Sequence, residues 1–81
     1  MSLKEFDVVR VVKLLTPNRH IDGSQRVMRQ PRVGDIGTIV HVLNDAGLES
    51  AYLVEAVNPD GLTLWLADFL HTELALEWQS N

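Results

Sequence analysis

The sequence predicts an all-β domain of five short strands. Three observations carry this expectation. β-Branched and aromatic residues gather in short runs, the runs are separated by Gly, Pro, Asn and Asp, and a helical spacing of apolar residues shows only in the tail. With 81 residues the chain has room for one small domain, 1–81, and not for two.

The first run, residues 6–15, is dense in valine, lacks Gly and Pro, and stops at Thr16-Pro17-Asn18; it reads as the first strand. Residues 16–33 form a long polar loop carrying Pro17, Asp22-Gly23-Ser24 and Pro31. Only Ile21, Val27, Met28 and Val33 are available to anchor it, so this loop is expected to be the most mobile part of the fold. Residues 33–43 read as a glycine turn feeding the second strand. Gly34 suits a positive-φ turn position, and Gly37, just inside the strand, marks a bulge or a close backbone approach.

Asn44-Asp45-Ala46-Gly47 is a turn by composition, and residues 52–57 are the third strand. Asn58-Pro59-Asp60-Gly61 is the strongest turn signal, with Pro presetting φ and Gly supplying the left-handed residue, so residues 62–67 return as the fourth strand. In the tail, Leu66, Leu70, Leu74 and Trp78 keep a helical spacing while Leu74, Leu76 and Trp78 alternate as in a strand. The reading is a short helical turn at 68–72 and a fifth strand at 73–78. The whole describes a small five-stranded SH3-like barrel with a long loop after the first strand and a short helical turn before the last strand.

Asp7-Val8-Val9, Gly34-Asp35-Ile36-Gly37-Thr38-Ile39-Val40, Val54-Glu55-Ala56 and Asp60-Gly61-Leu62-Thr63 occur in this order along most of the chain. In this the chain resembles a bacterial family of small SH3-like barrel proteins, a domain of unknown function whose pattern has an aromatic residue where Ala56 stands and lacks the long insertion at 16–33. The resemblance implies the barrel and carries no functional residues, because the family has no established activity. Small proteins of this kind also resemble products of bacterial mobile gene cassettes. More distantly, the stretch from Gly34 to Ile39 is similar to the turn of KOW modules and to the barrel of the nitrile hydratase β subunit, which bears on fold rather than chemistry.

Charge is divided sharply along the chain. Residues 1–34 hold all seven basic side chains and three acids, a net +4, and residues 35–81 hold eight acids and no Lys or Arg, a net −8. Such a division marks either a basic arm for nucleic acid or two halves that neutralise each other on folding. The acidic total of −4 favours the second, since binding a phosphate backbone needs a concentrated positive field. The absence of cysteine removes disulfides and thiolate chemistry and fits a reducing, cytoplasmic setting. No apolar run is long enough for a membrane helix, and the start of the chain lacks the form of a signal peptide.

The three histidines, His20, His41 and His71, share no metal-ligand spacing, and no serine stands in a nucleophile-elbow context. Glu73 and Glu77 read as a solvated carboxylate face. The expectation is a protein without enzymatic activity, cofactor or metal. Arg19, Arg26, Arg29 and Arg32 are the sharpest feature: within one loop they offer bidentate donors to phosphate or carboxylate, or they pair with acids of the second half. The loop has no aromatic residue on which bases would stack, so nucleic acid is disfavoured as a partner. Trp65 and Trp78 are the other candidates. Leu64-Trp65-Leu66 is apolar on both strand faces and a small barrel has one interior, so some of this surface needs cover from the chain itself, a protein partner or a second copy. The functional expectation is a protein-interaction or assembly module that self-associates through Leu64, Trp65 and Leu66, with a KOW-like nucleic-acid binder using the arginine loop as the alternative.

Overall fold

The computed structural model describes residues 3–80; Met1, Ser2 and Asn81, which the 1–81 domain expectation includes, lie outside the described residues. Five strands follow one another, β1 (Val8–Val11), β2 (Ile36–Asn44), β3 (Ala51–Val57), β4 (Thr63–Leu70) and β5 (Leu74–Trp78). They make one antiparallel sheet in the order β4-β3-β2-β1-β5. A 3-10 turn at Gly47–Glu49 precedes β3 and another at His71–Glu73 precedes β5. The all-β class, the five strands and the one-turn spacer before the last are as the sequence predicts. No helix among the described residues is long and apolar enough to cross a membrane.

Two boundaries differ from expectation. β1 is four residues long instead of spanning 6–15. Phe6 takes a positive φ of 71°, which breaks the strand before it, and after Val11 the backbone turns aside, with the Val12 N–H donating 2.8 Å to the Glu73 carbonyl. Valine content marks the run as extended without saying where pairing stops. The spacer also sits later than 68–72, because Asp68, Phe69 and Leu70 stay paired with Leu53, Tyr52 and Ala51 and so belong to β4.

The core forms between the inward rows of the sheet. Ile39, Val54 and Ala67 align across β2, β3 and β4, Tyr52 stands opposite Phe69, and Ala56 stands opposite Trp65. All are buried, as are Val9 and Val11 of β1. Trp65 packs against Phe69 with ring centroids 5.2 Å apart. Gly37 makes room for this: a Cβ there would lie 2.8 Å from Val54 Cγ1 and 3.2 Å from the Trp65 ring. The close backbone approach expected at Gly37 is present: a Cβ there would also lie 2.9 Å from the Glu55 carbonyl oxygen, nearer than the Trp65 ring. Gly34 and Gly61 also take positive φ, at 98° and 82°, as their turn positions require.

Candidate functional site

The two groups of residues that the sequence singles out separately, the loop arginines and the apolar fourth strand, meet in one place. Residues 16–33 lie as a strap along the outer edge of β4. Asp22 and Leu66 exchange both backbone hydrogen bonds, at 3.0 and 2.8 Å. The Ser24 N–H donates 2.9 Å to the Thr63 carbonyl and the Arg29 N–H donates 3.0 Å to the Leu64 carbonyl. Between these rungs the strap reverses at 24–28, where the Val27 and Met28 N–H groups both donate to the Ser24 carbonyl. Its two limbs are joined by Gln30, whose side-chain amide donates 2.8 Å to the Arg19 carbonyl and accepts from the Arg19 N–H at 3.2 Å. Gly23 allows the close fit, since a Cβ there would lie 2.9 Å from Met28 Cβ, 3.0 Å from the Thr63 carbonyl oxygen and 3.1 Å from that of Leu64.

Two carboxylates fasten the strap. Glu73, on the 3-10 turn before β5, is 2% exposed. It accepts from Arg19 Nη2 at 2.6 Å and Nη1 at 3.2 Å, and from the backbone N–H groups of Leu15 at 2.8 Å and Leu70 at 3.0 Å. The Arg19 guanidinium is itself buried, with its carbon 4.3 Å from the centroid of the Phe69 ring and a further bond of 2.8 Å to the Asp68 carbonyl. Asp35, at the foot of β2, accepts from Arg29 at 2.8 and 3.1 Å, from the Arg32 N–H at 3.0 Å and from Trp65 Nε1 at 2.9 Å. Burial opposes ionisation of both acids. The hydrogen bonds, chiefly from Arg19 to Glu73 and from Arg29 to Asp35, outweigh it and hold both carboxyls below their ordinary values.

A third carboxylate, the buried Asp7, fastens a different place. It accepts from the Lys4 N–H at 3.0 Å, from Lys4 Nζ at 3.3 Å and from the Ser80 N–H at 2.8 Å, so it ties the segment before β1 to the segment after β5. Burial again opposes its ionisation, and the Ser80 and Lys4 bonds again prevail and lower its pKa.

This arrangement corrects several expectations. Trp65 is fully buried and its indole N–H is satisfied, so it presents nothing to a partner. Leu64 and Leu66 are half-buried, Leu64 packs against the core, and the strap takes up backbone groups of both. Arg19 and Arg29 are spent on internal carboxylates, and only Arg26 and Arg32 remain exposed, with no acid in ion-pair reach among the described residues. Of the four apolar residues expected to anchor the loop only Ile21 packs against the core, and polar bonds to residues elsewhere in the chain supply the rest of the hold. Glu73 belongs to the interior rather than to a solvated face. Glu77 pairs with Arg10, so ion pairs do join the basic first part of the chain to the acidic second part, at Arg10–Glu77, Arg19–Glu73 and Arg29–Asp35.

Sequence reasoning missed Glu73, Asp35 and Gln30: Glu73 and Gln30 meet Arg19 from 54 and 11 residues away, and Asp35, only six residues from Arg29, has no motif that marks it as the partner. The histidines do not converge. His20 and His41 are exposed, with Asp22 at 4.0 Å from the one and Glu5 at 3.4 Å from the other, and His71 Nδ1 lies 3.2 Å from the Tyr52 hydroxyl. Among the described residues no three His, Cys, Asp or Glu side chains are placed to hold a metal ion.

Trp78 remains exposed. It stands opposite Val8 on the outward face, beside a bulge at Glu77, and is 58% exposed, while Phe6, two residues before Val8, is 63% exposed. No protein-family model matches the chain, and neither the curated proteins nor the solved structures contain a match.

Proposed function

We propose that this chain is a non-enzymatic protein-interaction or assembly module built on an SH3-like barrel. The strand order β4-β3-β2-β1-β5, with its one-turn 3-10 spacer before β5, supports the barrel reading. The observation that carries the function is the exposure of Trp78 and Phe6 at the outward end of β5 and β1. Trp is the residue most enriched at energetic centres of interfaces, and a chain with five aromatic residues that leaves two of them largely in water has surface to cover. Self-association belongs to this reading, relocated from β4 to the Trp78 surface. A cysteine-free composition supports a cytoplasmic setting, and the bacterial and cassette-borne origin rests on the resemblance alone.

Light scattering on the purified protein tests it. A mass above the monomer that falls to the monomer in Trp78→Ser supports assembly through this surface; a monomer that captures no protein partner in a Trp78-dependent way overturns the reading. A stable dimer would need roughly 1,000 Å² or more of total buried surface. The KOW-like alternative draws on Arg26 and Arg32, the two loop arginines left exposed. It requires a gel shift on RNA at physiological salt that both substitutions to Gln abolish, and acids that outnumber bases weigh against it.

A further inference from the structure

β4 is eight residues long and alternates buried Trp65, Ala67 and Phe69 with outward Leu64, Leu66, Asp68 and Leu70. It has one charge, no Lys and no Pro. An open edge of this composition is a template for another strand, and folded proteins cover or blunt such edges. β5 is blunted by its short length of five residues and its bulge; on β4 the strap rungs cover Thr63, Leu64 and Leu66, the Arg19 side chain covers the Asp68 carbonyl, and Glu73 takes the Leu70 N–H. The strap holds mainly by polar contacts rather than by a buried apolar face. Ile21 packs against the core and Pro31 is buried, and the rest of the hold is the backbone rungs, Gln30, the stacking of Arg19 on Phe69 and the two arginine–carboxylate pairs.

We propose that residues 16–33 are a releasable guard over the edge of β4, and that their release lets two copies of the chain join through their β4 strands. The strand suits a second copy of itself. An antiparallel pair centred on Ala67 puts that small side chain on the twofold axis, sets Leu64 of one copy opposite Leu70 of the other and Trp65 opposite Phe69. The only charge, Asp68, then faces Leu66 rather than another Asp68, so no like charges oppose. A slip by one residue would set inward rows against outward ones, which fixes this parity of register.

The test is run in Trp78→Ser protein, so that it stands apart from the Trp78 surface and its failure is distinguishable from failure of the interaction reading. Hydrogen exchange comes first. The amides of Asp22, Ser24, Arg29 and Leu66, which form or face the strap rungs, should exchange faster than that of Ile39, which bonds the Asp7 carbonyl inside the sheet. Gly23→Ala then crowds Met28 within the strap and the Thr63 and Leu64 carbonyls beneath it, loosening the rungs without touching either carboxylate. In that variant the strap amides should lose protection while Ile39 keeps it, and the mass should double across a micromolar-to-millimolar concentration series. Leu66→Asp, which sets carboxylates opposite Asp68 of the other copy, should restore the monomer, and adding Asp68→Lys should restore the dimer. Strap and Ile39 amides that exchange together, strap amides that keep full protection in Gly23→Ala, a monomer despite their exposure, or a dimer indifferent to the Leu66 and Asp68 charges each overturn the proposal.

Discussion

The turn at 58–61 and the strap at 16–33 both reverse the chain beside β4, and they are held by opposite means. In the turn every bond is local. The Asn58 side-chain oxygen accepts the N–H groups of Asp60 and Leu62, each at 3.0 Å, and the Gly61 N–H donates 2.9 Å to the Asn58 carbonyl. In the strap the fastening groups are 6 to 54 residues apart, from Arg29–Asp35 to Arg19–Glu73. A local device can form before the rest of the fold exists, whereas a long-range one exists only after the fold has brought its parts together. The strap should therefore be the more sensitive to changes far from it.

Glu73→Gln should break this contrast most strongly. It leaves the buried Arg19 guanidinium without its counter-charge, and removing one partner of a buried ion pair costs about 3–5 kcal/mol. A urea midpoint close to that of the unsubstituted protein would show that Glu73 only decorates the strap.

Acid should act next and on the same group. Glu73, Asp35 and Asp7 all have lowered pKa values in the folded chain, so each contributes stability that is fully present above its unfolded value, about 4, and is lost as pH falls through the lower folded value. Urea midpoints should hold level from neutral to about pH 5 and fall below about pH 4. The fall should be shallower in Glu73→Gln.

The turn should respond more mildly. Asn58→Ala removes two hydrogen bonds at an exposed site, an expected loss of about 1–2 kcal/mol in thermal or urea unfolding. The strap amides should keep their protection, because nothing in the turn reaches the two carboxylates. At the small end lies Arg10→Gln. The Arg10–Glu77 pair is half-exposed, so its loss should cost within about 1 kcal/mol and the cost should shrink as salt is added.

The same contrast explains what the sequence discloses. Asn58, Pro59 and Gly61 announce their turn because the chemistry that makes it lies within four residues, and Gly37 announces a close approach because its lack of a side chain is itself the signal. The strap is visible only as an anomaly, a polar loop too long and too poor in apolar residues. Nothing at Gln30, Asp35 or Glu73 says that they will hold it, because a carboxylate destined for burial looks like one destined for water until its arginine arrives. The charge division foresees that the two parts of the chain will attract each other but not which side chains will meet. Trp65 and Trp78 show the same limit. Both lie in apolar alternating runs, and the difference between a buried Trp65 and an exposed Trp78 is set by Gly37 and the bulge at Glu77, features of other strands and of register.

The position of β1 also constrains the order of assembly. It lies between β2 and β5, with Val8 paired to both Thr38 and Trp78, and Asp7 bonded to the Ser80 N–H across a separation of 73 residues. β2, β3 and β4 can zip in sequence as each emerges, but the first strand made must wait for the last to complete its pairing. Closing so distant a contact costs chain entropy before any bond repays it, which places folding in the slower, millisecond-to-second range of small β domains. During synthesis the first strand stays half-paired until the fifth has left the ribosome, and in that interval the exposed edge of β1 is the part of the nascent chain most in need of protection.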